Sequence, residues 1–115
     1  MKIIIAGGRT FNNYNLIFEK CEEAFSQQTE IEVVSGIAKG ADALGELYSK
    51  EKGYKLTQFA PDWNKYGKGA GYKRNEQMAL YADALIAFWD GESRGTKSMI
   101  ELAEKHKLKI KIIRI

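Results

Sequence analysis

Apolar residues along the chain follow two alternating patterns: short continuous runs, and longer stretches with a period of three to four residues. The runs predict β-strands at residues 3–6, 31–34, 56–60, 84–88 and 109–113. The longer stretches predict four amphipathic helices, at residues 13–27, around residues 41–48, at residues 73–81 and around residues 99–103.

The alternation of strands and helices predicts an α/β fold. We expect a single three-layer domain over residues 1–115, in which about four helices flank a mainly parallel sheet of about five strands. The run at 84–88 is apolar throughout, as in a central strand, whereas lysines alternate with isoleucines at 109–113, as in a charge-protected edge strand. Ligands of such sheets bind beyond the carboxyl ends of the strands. The loops after strands one to four are therefore the candidate binding loops.

Composition narrows the function classes. The net charge is only +3, so nucleic acid is a less favoured partner than a small molecule. No apolar run is long enough to span a bilayer, and the amino terminus does not resemble a secretory signal. A single cysteine, Cys21, fits a reducing compartment, so we expect a cytoplasmic protein.

The single cysteine and the single histidine also exclude the usual zinc ligand sets, and no metal or cofactor is expected. Cys21 shares a predicted helix face with Ile17 and Phe25. This pattern favours a buried structural thiol over a catalytic one.

The loops after the first two predicted strands carry glycines, which allow a backbone to approach a phosphate closely. Their candidate ligand residues are Gly7, Gly8, Arg9 and Thr10 in the first loop, and Ser35, Gly36, Lys39, Gly40 and Asp42 in the second. The second loop matches neither the G-x-x-x-x-G-K-[ST] nor the G-x-G-x-x-G motif. Two alternatives stay open: the first loop is a plain strand-to-helix turn, and Asp42 only stabilises the start of its helix.

The third predicted strand is followed by the longest loop, residues 61–75, which mixes glycines, cations and aromatic rings. Its candidate ligand residues are Asp62, Trp63, Lys65, Arg74 and Asn75. A solvated basic loop is the alternative. The fourth loop offers Asp90, Ser93, Arg94, Gly95 and Thr96. Ser93 is a predicted helix N-cap, and Asp90 either binds ribose hydroxyls or forms an Asp-Gly turn.

The chain resembles the YspA-like branch of the SLOG superfamily in four segments, GGRTF, VVSGIAKGADALGE, FAPDWNKYGKGAGYKRNEQM and ADALIAFWDGESRGTKSMIELA. The resemblance implies a Rossmann-like fold, a homo-oligomer, and binding of a nucleotide or an NAD-derived molecule such as ADP-ribose. The superfamily includes cytokinin-activating phosphoribohydrolases, a recombination mediator that binds single-stranded DNA, and sensor domains for NAD-derived signals. Small stand-alone members are frequent in bacteria and their phages.

The phosphoribohydrolase branch carries a P-G-G-x-G-T-x-x-E motif, from which this sequence departs. Met99 stands three residues after Thr96, where the motif has its glutamate, and the nearest acid is Glu101. Two further residues on a helix rotate a side chain by roughly 200°. The resemblance therefore implies a phosphate site without the acid that cleaves the glycosidic bond.

Binding of a nucleotide or NAD-derived ligand, for sensing or for sequestering a nucleotide immune signal, is our leading hypothesis. Hydrolysis of a nucleotide N-glycosidic bond is the first alternative. The second is single-stranded nucleic-acid binding, with Trp63, Tyr66 and Tyr72 stacking on bases beside lysines.

Overall fold

The computed structural model describes all residues, 1–115. Its strands and helices alternate along the chain. They are β1 (Lys2–Gly7), α1 (Tyr14–Phe25), β2 (Glu32–Ser35), α2 (Ala41–Lys52), β3 (Lys55–Gln58), α3 (Trp63–Tyr66), α4 (Ala70–Tyr81), β4 (Ala84–Trp89), α5 (Arg94–Lys105) and β5 (Lys109–Arg114). A 3₁₀ turn, Gly67–Gly69, joins α3 to α4. None of the helices has the length and apolar character needed to cross a membrane.

All five strands are parallel, in the order β3-β2-β1-β4-β5. From β1 the chain adds β2 and β3 on one side, then returns to add β4 and β5 on the other. The direction of winding therefore reverses between β1 and β4, which is where open α/β sheets bind their ligands. The predicted Rossmann-like parallel sheet is confirmed, as are the interior position of β4, which is buried between β1 and β5, and the edge position of β5.

Helices cover both faces of the sheet. On one face α1 and α2 bury Ile17, Cys21 and Tyr48 against β1 and β4. On the other face α4 and α5 contribute Met78 and Met99 to a second apolar cluster. Burial raises the pKa of the Cys21 thiol to about 12, so this residue is a protonated core side chain, as its position on the predicted helix face indicated.

The prediction of one long loop at residues 61–75 is wrong. Asp62 accepts a hydrogen bond from the N–H of Lys65 at 3.1 Å and begins the single-turn helix α3. Helix α4 then begins at Ala70, three residues before the predicted start at Lys73. The glycines of this segment have low helix propensity and favour a loop, but Ala70 is fully buried. Tertiary packing here overrides local propensity.

Candidate functional site

A cavity of about 440 Å³ lies beyond the carboxyl ends of β1 and β4, at the reversal of the strand order. Four segments form its wall: the end of β1 with the β1–α1 loop, the start of α2 with the loop before it, one face of α4, and the β4–α5 loop with the start of α5. Predicted ligand residues from all four segments line the cavity. They are Gly7, Gly8, Arg9, Thr10, Asp42, Arg74, Asn75, Asp90, Ser93, Gly95 and Thr96.

The other predicted ligand residues do not line this cavity. Trp63 is 57% exposed on α3, and Arg94 and Lys39 are also exposed. Two residues of the third segment line a separate, smaller cavity beside α4, namely Asp62 and Lys65. The remaining three line neither cavity and are Ser35, Gly36 and Gly40.

Sequence reasoning missed the apolar part of the lining, which consists of Ala6, Ala38, Met78 and Met99. The sequence contains a signal for two of these four residues. Met78 follows Arg74 by four residues and Met99 follows Thr96 by three, so each lies one helical turn beyond a predicted contact. Glu101 is exposed on another side of α5 and lines a different surface depression, which agrees with the predicted rotation away from Met99.

The β1–α1 and β2–α2 loops contact each other too closely for side chains. A Cβ on Gly7 would stand 2.7 Å from the Cβ of Ala41, the first residue of α2. A Cβ on Gly40, whose φ is +75°, would stand 2.2 Å from the carbonyl oxygen of Gly8. That carbonyl accepts a hydrogen bond from the N–H of Ala41 at 3.2 Å. The first N–H of α2 is therefore bound by the protein's own backbone.

The rest of the β2–α2 loop is also hydrogen-bonded internally. Ser35, 1% exposed, donates to the Glu46 carboxylate at 2.6 Å and accepts from the N–H of Ile37 at 3.1 Å. The carboxylate of Asp42, 7% exposed, accepts from the N–H of Ala38 at 3.3 Å. Burial raises the pKa of Asp42, and this backbone hydrogen bond opposes the shift only in part.

Arg74 reaches from α4 to the end of β2. Its Nε donates to Oδ1 of Asn75 at 2.9 Å, and its Nη1 donates to the carbonyl oxygen of Gly36. A Cβ on Gly36 would stand 3.0 Å from the guanidinium, so the missing side chain makes room for Arg74. Burial lowers the pKa of Arg74, and the nearby Asp42 carboxylate raises it again in part. An arginine in this position stays charged at neutral pH.

Side-chain hydrogen bonds stabilise the β4–α5 loop, and two backbone N–H groups at the start of α5 have no acceptor. Oδ1 of Asp90 accepts from the N–H groups of Glu92 and Ser93, both at 2.8 Å, and these bonds lower the pKa of Asp90. Ser93 is the N-cap of α5, as predicted. The N–H groups of Arg94 and Gly95 have no acceptor in the protein. Free amides at the amino terminus of a helix are favourable partners for an anion.

Comparison with known proteins supplies a family model and a relative. The model of the YspA, cpYpsA-related SLOG family matches residues 1–66. The Gene 61 protein of Mycobacterium phage D29 is 29% identical over 111 residues, which are 90% of this chain and 89% of the phage protein.

A solved structure shares the fold. The X-ray structure of DNA processing protein A (DprA) from Streptococcus pneumoniae superposes with a TM-score of 0.79 at 16% identity. It covers 99% of this chain, and the chain spans 50% of the length of DprA. At this level of identity the match establishes the Rossmann-like architecture alone.

Proposed function

The chain belongs to the YspA, cpYpsA-related SLOG family, and we propose that its cavity binds a phosphate-bearing nucleotide or an NAD-derived ligand, so that residues 1–115 act as one sensing or sequestering domain. The similarity to a phage protein is consistent with sequestering of a nucleotide signal. A volume of about 440 Å³ falls in the range of small-molecule sites.

The observation that carries the proposal is the concentration of buried polar side chains at the cavity. Five polar or charged residues of the chain are buried, and three of them line this one cavity: Asp42, Asn75 and Thr96. Polar side chains are costly to bury unless they have partners. Asp42 and Asn75 keep acceptor and donor capacity beyond their bonds to the protein, since a carboxylate has about four acceptor sites and an amide two N–H donors. A polar ligand would use that capacity.

The arrangement of charge suits a nucleotide. Arg9, Arg74 and the free N–H of Gly95 supply donors for a phosphate. The carboxylate of Asp42 supplies an acceptor for ribose hydroxyls, and Met78 and Met99 supply an apolar wall for a base. These groups together can bind a phosphate, a sugar and a ring.

Calorimetric titration of the purified protein tests the proposal, with ADP-ribose, its cyclic isomers, NAD and cyclic dinucleotides as ligands. At least one ligand is expected to bind. Arg74→Gln should then weaken its affinity about 10- to 100-fold, the range for a hydrogen bond to a charged group. Arg94→Gln is the matched control, because Arg94 does not line the cavity, and it should change affinity less than threefold. Silent titrations with every ligand would overturn the proposal.

One observation favours an enzymatic alternative. Asp42 is a buried carboxyl group in the cavity with a raised pKa, a combination typical of general acids. Incubation with nucleoside monophosphates, followed by chromatography for released base, tests this candidate. Base release that Asp42→Asn abolishes would support hydrolysis, and no release from the wild-type protein would exclude it for those substrates.

Single-stranded nucleic acid is the other alternative, and the exposure of two aromatic rings favours it. Trp63 is 57% exposed and Tyr72 is 49% exposed, on the part of the surface that also carries Lys65, Lys68 and Lys73. Salt-dependent retention of labelled oligonucleotides that Trp63→Ala weakens would support it. Absence of retention at low salt would exclude it.

A further inference from the structure

A second, smaller cavity adjoins the first on the other side of Arg74. Its volume is about 230 Å³, and Arg74 is the one residue that lines both cavities. The lining of the second cavity comes from α3, α4 and the residues before them: Ala60, Asp62, Lys65, Tyr66, Ala70, Lys73, Arg74 and Gln77. Arg74 is thus the residue through which the two cavities adjoin.

The two cavities differ in charge. In the first, two arginines face two aspartates, so its charged side chains balance. In the second, Lys65, Lys73 and Arg74 face only Asp62. The Asp62 carboxylate is also engaged, because it accepts the N–H of Lys65 at 3.1 Å. The second cavity therefore has an excess of positive charge, which the first lacks.

The two lysines of the second cavity lie close to one ring. The Nζ atoms of Lys65 and Lys73 stand 5.2 and 5.8 Å from the ring centroid of Tyr66. Lys73 has an ion pair with Glu76 at 3.7 Å, and Lys65 has none. An ion pair between exposed groups contributes little to stability. Both ammonium groups belong to side chains that line this cavity, so an anion in it would be attracted by both.

Arg74 keeps one guanidinium nitrogen free for a ligand. Its Nε and Nη1 are held by Asn75 and Gly36, while Nη2 has no acceptor in the protein. We propose that the second cavity binds a second phosphate of the ligand. One phosphate would then lie in each cavity, and the ligand would extend past Arg74 from one cavity to the other. The chemical class is a nucleotide carrying two phosphates separated by its sugar. This inference rests on the proposed function of the first cavity.

Two probes differing by one phosphate test it: adenosine 5′-monophosphate and adenosine 3′,5′-bisphosphate. By calorimetry the bisphosphate should bind the wild-type protein at least tenfold more tightly. The double variant Lys65→Gln/Lys73→Gln should lose this gain while its affinity for the monophosphate stays within twofold. Lys68→Gln is the matched control, because Lys68 lies in the same segment and does not line the cavity. It should keep the full gain.

The outcomes separate the two proposals. If the wild-type protein binds both probes equally, or if the double variant weakens both by the same factor, the second phosphate site does not exist while the first cavity stands. If neither probe binds at millimolar concentration and the ligands named above are also silent, the proposed function fails and the inference fails with it. Circular dichroism checks the fold of the variants, and because both lysines are exposed it should be unchanged.

Discussion

Two loops of this protein look alike in sequence and behave differently in the structure. We define the closed loop as residues 36–40, before α2, and the open loop as residues 90–93, before α5. Each follows a parallel strand, contains glycine, and precedes a helix. The first N–H of the helix after the closed loop, that of Ala41, is bound by the carbonyl oxygen of Gly8, whereas the first N–H of the helix after the open loop, that of Arg94, has no acceptor in the protein.

The difference has a geometric cause. Gly40 adopts φ +75° and lets the β1–α1 loop rest directly on the start of α2. The open loop is instead held by its own side chains, through Asp90 and Ser93, and by Arg114, whose guanidinium lies beside Gly91. A glycine-rich turn before a helix is therefore not by itself an anion site. Contacts with other segments decide whether the first amide of the following helix is available.

The largest effect is expected from filling the contact in the closed loop. Gly40→Ala requires a left-handed backbone with a Cβ, and that Cβ meets the Gly8 carbonyl oxygen at 2.2 Å. We expect a loss of about 2–4 kcal/mol in the free energy of unfolding, measured by urea denaturation. Gly95→Ala is the matched change beside the open loop, where nothing lies within 4 Å of the new Cβ. It should be neutral or stabilise by about 0.4–1 kcal/mol. Equal stabilities of the two variants would contradict the comparison.

Removing the N-cap of α5 tests how much Ser93, the last residue of the open loop, contributes to stability. Ser93→Ala deletes the hydroxyl that caps α5, and it should cost about 1 kcal/mol of unfolding free energy. Ser98→Ala, within the same helix, provides the control and should cost less than half as much. An unchanged denaturation midpoint in Ser93→Ala would mean that the cap does not stabilise the open loop.

The Asp42 carboxylate, which accepts a hydrogen bond from the closed loop, should give a stability change that depends on pH. Burial raises the pKa of Asp42, so the wild-type protein loses stability as pH rises from the ordinary aspartate range through this raised value. Asp42→Asn keeps an oxygen acceptor and carries no charge. Its stability relative to wild type should therefore improve between pH 3.5 and pH 7, as urea titrations at both values would measure. A stability difference between Asp42→Asn and wild type that does not depend on pH would refute the raised pKa of Asp42.

The carboxylate of the open loop should show the opposite sign and the smallest effect, since Asp90 is exposed. Backbone N–H groups lower its pKa, so the stability it contributes is present above the ordinary aspartate range and is lost as pH falls through the lowered value. Asp90→Asn should be less stable than wild type at pH 7, and the two should converge at acidic pH. If the stabilities of the Asp42 and Asp90 variants relative to wild type changed with pH in the same direction, the contrast between the two loops would be contradicted.

Much of the fold could be predicted from sequence because apolar periodicity reports burial directly. The run at 84–88 is a strand buried on both faces, and the period around Ile17 and Cys21 marks the buried face of α1. The segment at 61–75 could not be predicted in this way. Its glycines favour a loop locally, and only the burial of Ala70 shows that α4 starts there.

The sequence by itself determined which loops follow which strands, and it placed Gly7, Arg9, Arg74, Ser93 and Thr96 among the candidate contacts. These assignments depend on strand order along the chain and on local residue chemistry. Only the tertiary structure decided that Lys39 and Arg94 lie outside the cavity and that Arg74 lines two cavities. The physical reason is that hydrogen bonds and steric contacts between distant segments, such as Gly8 with Ala41 and Arg74 with Gly36, determine which donors stay free.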